Sequence, residues 1–204
     1  MSIFLIRHGE TALNAARVLQ PADTPLSANG LRQAEAVAHR LGGLGLAAIV
    51  SSDLPRAWRT AEAIAAVTGL PITASALLHE RNFGDLRGRP YDGLGFDLLA
   101  MDAAPPGGES AAAFGQRIGM AFERLVALRA TLPGPLAVVT HGLVIRAMVA
   151  AHGALPVGTA LPPRIGNTSL TIVSALPPHA VTLLDSTSHL DAGGRENEHS
   201  LSGG

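Results

Sequence analysis

Three short apolar runs in this chain break off abruptly into residues that carry chemistry. Ile3-Phe4-Leu5-Ile6 runs into Arg7-His8-Gly9-Glu10, Ala47-Ala48-Ile49-Val50 into Ser51-Ser52-Asp53-Leu54-Pro55-Arg56, and Leu136-Ala137-Val138-Val139-Thr140 into His141-Gly142. Continuous apolar runs of this length fit strands covered on both faces. Helical patterns separate them. Leu31, Ala34, Val37, Ala38 and Leu41 follow Ser27, a residue suited to capping a helix, and Gly42-Gly43 ends the pattern. Ile64, Ala65 and Val67 follow Pro55, which the first turn of a helix tolerates, with Asp53 as the expected N-cap. A long helix is expected over residues 110–131, with Phe114, Ile118, Phe122 and Leu125 as its core stripe. Strands alternating with helices predict an α/β fold, a three-layer sandwich whose central sheet is mostly parallel. Ligands bind outside the carboxyl ends of such strands. Arg7, His8, Arg56 and His141 are therefore expected on one rim.

The remaining segments are less regular. Residues 14–20 read as a short helical turn or loop, and 71–75 as a short strand. Residues 77–88 hold Glu80, Arg81, Asp85 and Arg87, with Arg89 close behind, a charge density that fits the wall or lid of a site. An insertion over the sheet is expected at about 85–108, with one weak helical patch at 94–101 whose Leu94, Phe96, Leu98 and Met101 either pack the insertion or line an apolar pocket. A helix over 143–152 carries Arg146. Strands at 170–173 and 181–184 flank a Pro177-Pro178 turn and predict an antiparallel or mixed pair at one edge. We expect one domain over residues 1–190 and a disordered, polar, glycine-rich tail over 191–204.

Composition narrows the chemistry. Apolar residues are 47% and charged residues 15% of the 204, which fits a folded globular chain. The net charge is -1, so binding of nucleic acid through bulk charge is not expected. All 15 basic residues are arginine and there is no cysteine, which excludes lysine chemistry, disulfides and thiol nucleophiles. No apolar run reaches a membrane span and no signal pattern opens the chain, so a soluble, cytoplasmic protein is expected, with no membrane partner. No histidine pair has metal-ligand spacing and carboxylates do not cluster, so neither a metal nor another cofactor is expected.

What the rim could do follows from its side chains. Two arginines offer forked donors that match phosphate oxygens, and the helix opened by Gly142 offers free N–H groups to an anion. Such a pocket suits a phosphoryl group, with His8 as nucleophile and Arg7 as clamp. Taken singly, each residue also has a structural reading. A histidine at a strand end is commonly structural, Arg56 could be solvated or pair with Asp53, and Glu80 could pair with Arg81 or Arg87. His39, His79, His152, His179, His189 and His199 lack the strand-end context and read as surface or tail residues.

The motifs in their order resemble the histidine phosphatase superfamily, also called phosphoglycerate-mutase-like. They are Arg7-His8-Gly9-Glu10-Thr11 with Asn14, Asp23-Thr24-Pro25-Leu26-Ser27 with Gly30 and Gln33-Ala34, and Ser51-Ser52-Asp53-Leu54 with Arg56-Ala57 and Thr60-Ala61. Glu80 before Gly84 and Gly88, Pro106-Gly107-Gly108-Glu109-Ser110, Val139-Thr140-His141-Gly142, Asn167-Thr168-Ser169 and His189-Leu190 extend the match to about residue 190. The resemblance implies a metal-independent phosphomonoester hydrolase acting on a small phosphorylated metabolite through a phosphohistidine. It implies His8 as nucleophile, with Nδ1-H held by a carbonyl near Gly9, and Glu80 as proton donor and acceptor. Arg7, Arg56, His141, Asn14 and Gly142 would hold the phosphoryl group. The absence of lysine and of an adjacent arginine pair, and the short insertion, favour a phosphatase resembling broad-specificity and alpha-ribazole phosphatases over a mutase. A phosphate-binding module without catalysis is the non-enzyme alternative.

Overall fold

The computed structural model describes residues 1–96 and 100–190. Six strands form one sheet: β1 (Ser2–Arg7), β2 (Ala48–Ser51), β3 (Ile72–Ala74), β4 (Leu136–Thr140), β5 (Leu170–Ser174) and β6 (Val181–Ser186), in the order β3-β2-β4-β1-β5-β6. The first four run parallel, and β5 and β6 add an antiparallel edge. The helices are α1 (Ala12–Ala15), α2 (Ala28–Gly42), α3 (Pro55–Thr68), α4 (Ala111–Ala130) and α5 (Gly142–His152). This is the mostly parallel α/β sandwich expected from the alternation of strand and helix patterns.

Both faces of the sheet are covered, which is why its central strands are uninterrupted in apolar residues. Side chains alternate across a strand, so Ile3 and Leu5 of β1, with Leu136 and Val138 of β4, pack beneath α4 and α5 against Ile118, Phe122, Val144 and Met148. Phe4 and Ile6, with Ala137 and Val139, face α2 and α3 through Val37, Leu41, Ala57, Ala61 and Ile64. Each fully buried aliphatic or aromatic side chain of this kind contributes roughly 1.5–3 kcal/mol of transfer free energy. Both layers therefore hold β1 and β4 in place, and with them the polar residues at their ends.

Ser27 caps α2 by accepting from the Gly30 N–H, and Ser110 caps α4 by accepting from Ala113. Asp53 does not cap α3. Leu54 occupies that position with Pro55 at the first helical residue, and the Asp53 carboxylate bonds to Nε2 of His79. The Asp53 carboxylate thus has a partner distant in sequence instead of a local cap.

In the insertion, Leu94 and Met101 pack on the layer beneath α4, whereas Phe96 is half exposed. Tyr91–Gly93 forms one turn of 3-10 helix ahead of the helical patch expected at 94–101, of which residues 97–99, Leu98 among them, lie outside the described residues. The tail expected at 191–204 lies outside them as well.

Candidate active site

The pairing register builds the site. Arg7 pairs with Thr140 in the parallel β1–β4 ladder, so the next residues along the two strands, His8 and His141, emerge side by side with ring centroids 5.1 Å apart. The His8 N–H donates to the Thr140 carbonyl at 2.9 Å, and that of Ser52, after β2, to the Val139 carbonyl at 2.9 Å. Three adjacent strands thus deliver His8, His141 and Ser52 to one rim.

His8 is buried, and its Nδ1 lies 2.7 Å from the Gly9 carbonyl. A carbonyl only accepts, so Nδ1 carries the proton and a neutral ring leaves its lone pair on Nε2. Burial, reinforced by the charges of Arg56 and Arg7, holds the His8 pKa well below the ordinary imidazole value, which keeps the ring neutral. Asn167 Nδ2 donates to the His8 carbonyl at 2.8 Å, and Gly9 N–H donates to Thr60 Oγ1 at 3.0 Å. The backbone is thereby fixed on both sides of the imidazole.

Much of the motif around His8 is scaffold. Glu10 N–H donates to Gln33 Oε1, and the Glu10 carboxylate accepts from Ser27 Oγ and Asn29 Nδ2. Gly9 and Gly30 let the loop and α2 touch: a Cβ on Gly30 would lie 2.0 Å from the Glu10 carbonyl oxygen, and one on Gly9 2.4 Å from that of Gly30. Asn14 closes a capping box with Thr11, its Oδ1 accepting from the Thr11 N–H, while its Nδ2 makes no bond among the described residues.

Arg7 and Arg56 are almost fully buried. Arg7 donates from Nη1 to the Ile165 carbonyl, and Arg56 from Nη1 to the carbonyls of Pro21 and Ala22, both at 3.3 Å. Nε of Arg56 has no partner among the described residues, and desolvation lowers the Arg56 pKa to about 10, so it remains charged at neutral pH. Asp53, its alternative partner, is engaged with His79. His141 sits 2.9 Å from Ser52 Oγ through Nε2, while its Nδ1 is buried and unpartnered among the described residues. Desolvation and the charge of Arg56 hold His141 neutral as well.

Glu80 is buried at the same rim and forms no ion pair with Arg81 or Arg87 among the described residues. Its Oε1 accepts from the Arg81 N–H at 3.0 Å and its Oε2 from the Leu143 N–H at 3.2 Å. The first turn of α5, expected to present free N–H groups at Gly142, thus gives one of them to this carboxylate. Burial raises the Glu80 pKa to about 7 against the pull of these two bonds. Arg117 of α4 steadies the segment, donating from Nη1 to the carbonyls of Leu77 and His79 while its other nitrogens grip Glu109. Glu80 opens onto a cavity of about 650 Å³, lined also by His79, Arg87, Glu109 and Arg117. The site can therefore offer an unprotonated imidazole, two buried guanidiniums and a carboxyl near neutrality, with room beyond the carboxyl.

The structure brings His8, Arg7, Arg56, His141 and Glu80 together. It adds Ser52, Tyr91 and Asn167, which sequence reading did not assign to the site. The Tyr91 hydroxyl is buried without a partner among the described residues, and burial together with the Glu80 charge raises its pKa. A lone tyrosine in a Gly/Pro-rich insertion was its one signal. Four of the other histidines are more than surface residues, His179 among them, its ring edge-on to Phe122 at 5.0 Å and its Nδ1 3.0 Å from the Ser174 carbonyl. His79 lines the cavity, His152 stacks on Phe122 at 4.4 Å, and His189 bridges Arg40 and Thr168. His199 lies outside the described residues.

A family model for the histidine phosphatase superfamily (branch 1) matches residues 3–183. Proteins of Yersinia pestis and Yersinia pseudotuberculosis named "Probable phosphoglycerate mutase GpmB" are 36% identical over 183 residues, covering 85% of this chain and 84% of theirs. Among solved structures, a mycobacterial glucosyl-3-phosphoglycerate phosphatase superposes with a TM-score of 0.77 at 31% identity, covering 91% of this chain and 99% of that one. The alpha-ribazole phosphatase of Shigella flexneri gives 0.78 at 25% identity, over 91% and 96%.

Proposed function

This chain belongs to the histidine phosphatase superfamily, and from that premise we propose that it hydrolyses small phosphomonoesters through a phosphohistidine on His8. The observation that carries the proposal is the 2.7 Å contact between His8 Nδ1 and the Gly9 carbonyl, which leaves the Nε2 lone pair for phosphorus. In the first step the Nε2–P bond forms and the P–O ester bond breaks. The departing alkoxide takes the proton of the Glu80 carboxyl, which its pKa of about 7 keeps available at neutral pH. In the second step ionised Glu80 takes a proton from water, the oxygen attacks phosphorus and the P–N bond breaks. Phosphate leaves, and neutral His8 and protonated Glu80 are restored.

Arg7 and Arg56 offset the charge on the equatorial oxygens in a water-poor pocket, where preorganised donors need not reorient. His141 donates from Nδ1 when Ser52 donates to its Nε2, and Asn14 adds Nδ2. The step uses no metal: its charge stabilisation comes from two guanidiniums.

The mutase reading has its own support in the names of the 36% identical relatives. Hydrolysis is preferred because no lysine and no adjacent arginine pair stand in the insertion to hold a second substrate. The deciding experiment incubates the protein with 3-phosphoglycerate and 2,3-bisphosphoglycerate. Phosphate release without isomer exchange is expected, and exchange outpacing release would establish a mutase. Acid-quenched protein incubated with a labelled ester should carry label at His8, and His8→Ala should carry none. Hydrolysis of p-nitrophenyl phosphate should survive a chelator, and its complete absence would leave the binding-module reading.

A further inference from the structure

Five titratable side chains line the cavity onto which Glu80 opens, and four are committed. Glu109 and Arg117 grip each other at 2.7 Å and 2.9 Å, His79 is bonded to Asp53, and Glu80 accepts two backbone N–H groups. Arg87 is the exception. Its guanidinium makes no hydrogen bond or ion pair among the described residues, although the residue is more than half buried.

The backbone that carries it is pinned. The Arg87 N–H donates to the Gly84 carbonyl at 3.1 Å, the Gly88 N–H to Leu19 at 2.7 Å, and Leu19 donates back to Arg89 at 3.0 Å. Leu19 itself is fully buried. The pinned backbone fixes where the fork starts, so binding a ligand orders the Arg87 side chain alone. Charge balance points the same way. Arg7, Arg56 and Arg87 bring three positive charges to the site and its margin, close enough that Arg87 acts electrostatically on Arg56. With Glu80 protonated and both histidines neutral, a phosphomonoester dianion offsets two of the three. The third charge faces the cavity where the leaving alcohol must lie, because Glu80 is the group that protonates it.

Building on the hydrolase reading, we propose that Arg87 binds a second anionic group on the leaving alcohol and sets a preference for phosphomonoesters that carry one. The chemistry required is an oxyanion able to take forked N–H donors. A carboxylate and a further phosphate both supply it.

Three matched three-carbon esters test this: glycerol 3-phosphate, which has no second anion, 3-phosphoglycerate with a carboxylate, and 1,3-propanediol bisphosphate with a second phosphate. The readout is the ratio of kcat/KM for each ester with a second anion to that for glycerol 3-phosphate. We expect a ratio above about tenfold for at least one ester with a second anion, its identity naming the anion. Arg87→Gln should lower that ratio about tenfold, and Arg87→Lys should restore part of it. A ratio near one in the unaltered protein, or an undiminished ratio in Arg87→Gln, overturns the assignment. Dissociation constants for the same esters, measured by calorimetry on His8→Ala with and without Arg87→Gln, decide the matter if turnover is absent. Absent turnover would defeat the hydrolase reading alone. Equal constants for esters with and without the second anion would defeat the role of Arg87.

Discussion

The hydroxyl of Ser52 lies 2.9 Å from Nε2 of His141, joining the end of β2 to the end of β4 beside the His8 ring. Ser52 Oγ also receives the Leu54 N–H at 3.3 Å. When its own proton points at the imidazole, the proton of neutral His141 lies on Nδ1, the buried nitrogen with no partner among the described residues. Ser52 is a positioning residue on this account. Ser52→Ala should lower kcat/KM for p-nitrophenyl phosphate about tenfold, the value of one lost buried hydrogen bond. Nitrogen chemical shifts of His141 should move toward a mixed tautomer. A loss under about twofold with an unchanged tautomer would remove Ser52 from the mechanism.

Glu80 gives a pH signature with a definite sign. Its pKa in the folded protein is raised from 4.5 to about 7, so the carboxyl keeps its proton up to near neutrality and loses it above. The acid form needed by a poor leaving group is therefore present at low pH, and kcat/KM for an alkyl phosphate should decline above about pH 7. Glu80→Gln should abolish that limb and slow alkyl esters on the order of 10² to 10⁴. An activated aryl ester, which needs no proton, should lose far less. Equal losses on both esters would point to a different acid.

The two buried arginines should be individually indispensable. Arg56→Ala and Arg7→Ala are each expected to reduce kcat on the order of 10² to 10³, the usual cost of removing one preorganised donor to transition-state charge. Lysine at position 56 should recover little, because an ammonium cannot hold the Pro21 and Ala22 carbonyls while also facing the phosphoryl group as a fork. Steady-state rates on p-nitrophenyl phosphate suffice, and a tenfold or smaller loss would make that arginine peripheral.

Gly30 is a stability position with a functional consequence. A Cβ there would meet the Glu10 carbonyl oxygen at 2.0 Å, and backbone cannot yield as a flexible side chain can. Gly30→Ala should cost about 3 kcal/mol and lower Tm by about 10 °C. It should also reduce activity, because the displaced segment follows His8 directly. A melting temperature within 2–3 °C of the unaltered protein would show that the loop and α2 separate more easily than their contacts imply.

Sequence by itself determined the strands, the helices and the chemistry available at three strand ends. Runs such as Ile3–Ile6 and 136–139 are long enough to need cover on both faces, and the residues at which they stop, Arg7-His8 and His141-Gly142, are of the wrong polarity to continue. Spacing also marked the core stripe of α4, because periodicity is a local property. Tertiary structure alone decided the rest. The Arg7–Thr140 register set His8 beside His141, and a slip of one residue would have turned their side chains apart. Glu80 stands in a segment with no periodicity, so only its bond to the Leu143 N–H, 63 positions along the chain, reveals it as a buried carboxyl raised toward neutrality. Asp53 illustrates the same limit from the other side: it reads as a local cap and instead takes His79. The tautomer of His8, the placement of Ser52 and Tyr91, and the uncommitted charge of Arg87 at the cavity all depend on which distant backbone and side-chain groups arrive beside them. Those encounters are set by packing across the sheet, which no local pattern in the sequence encodes.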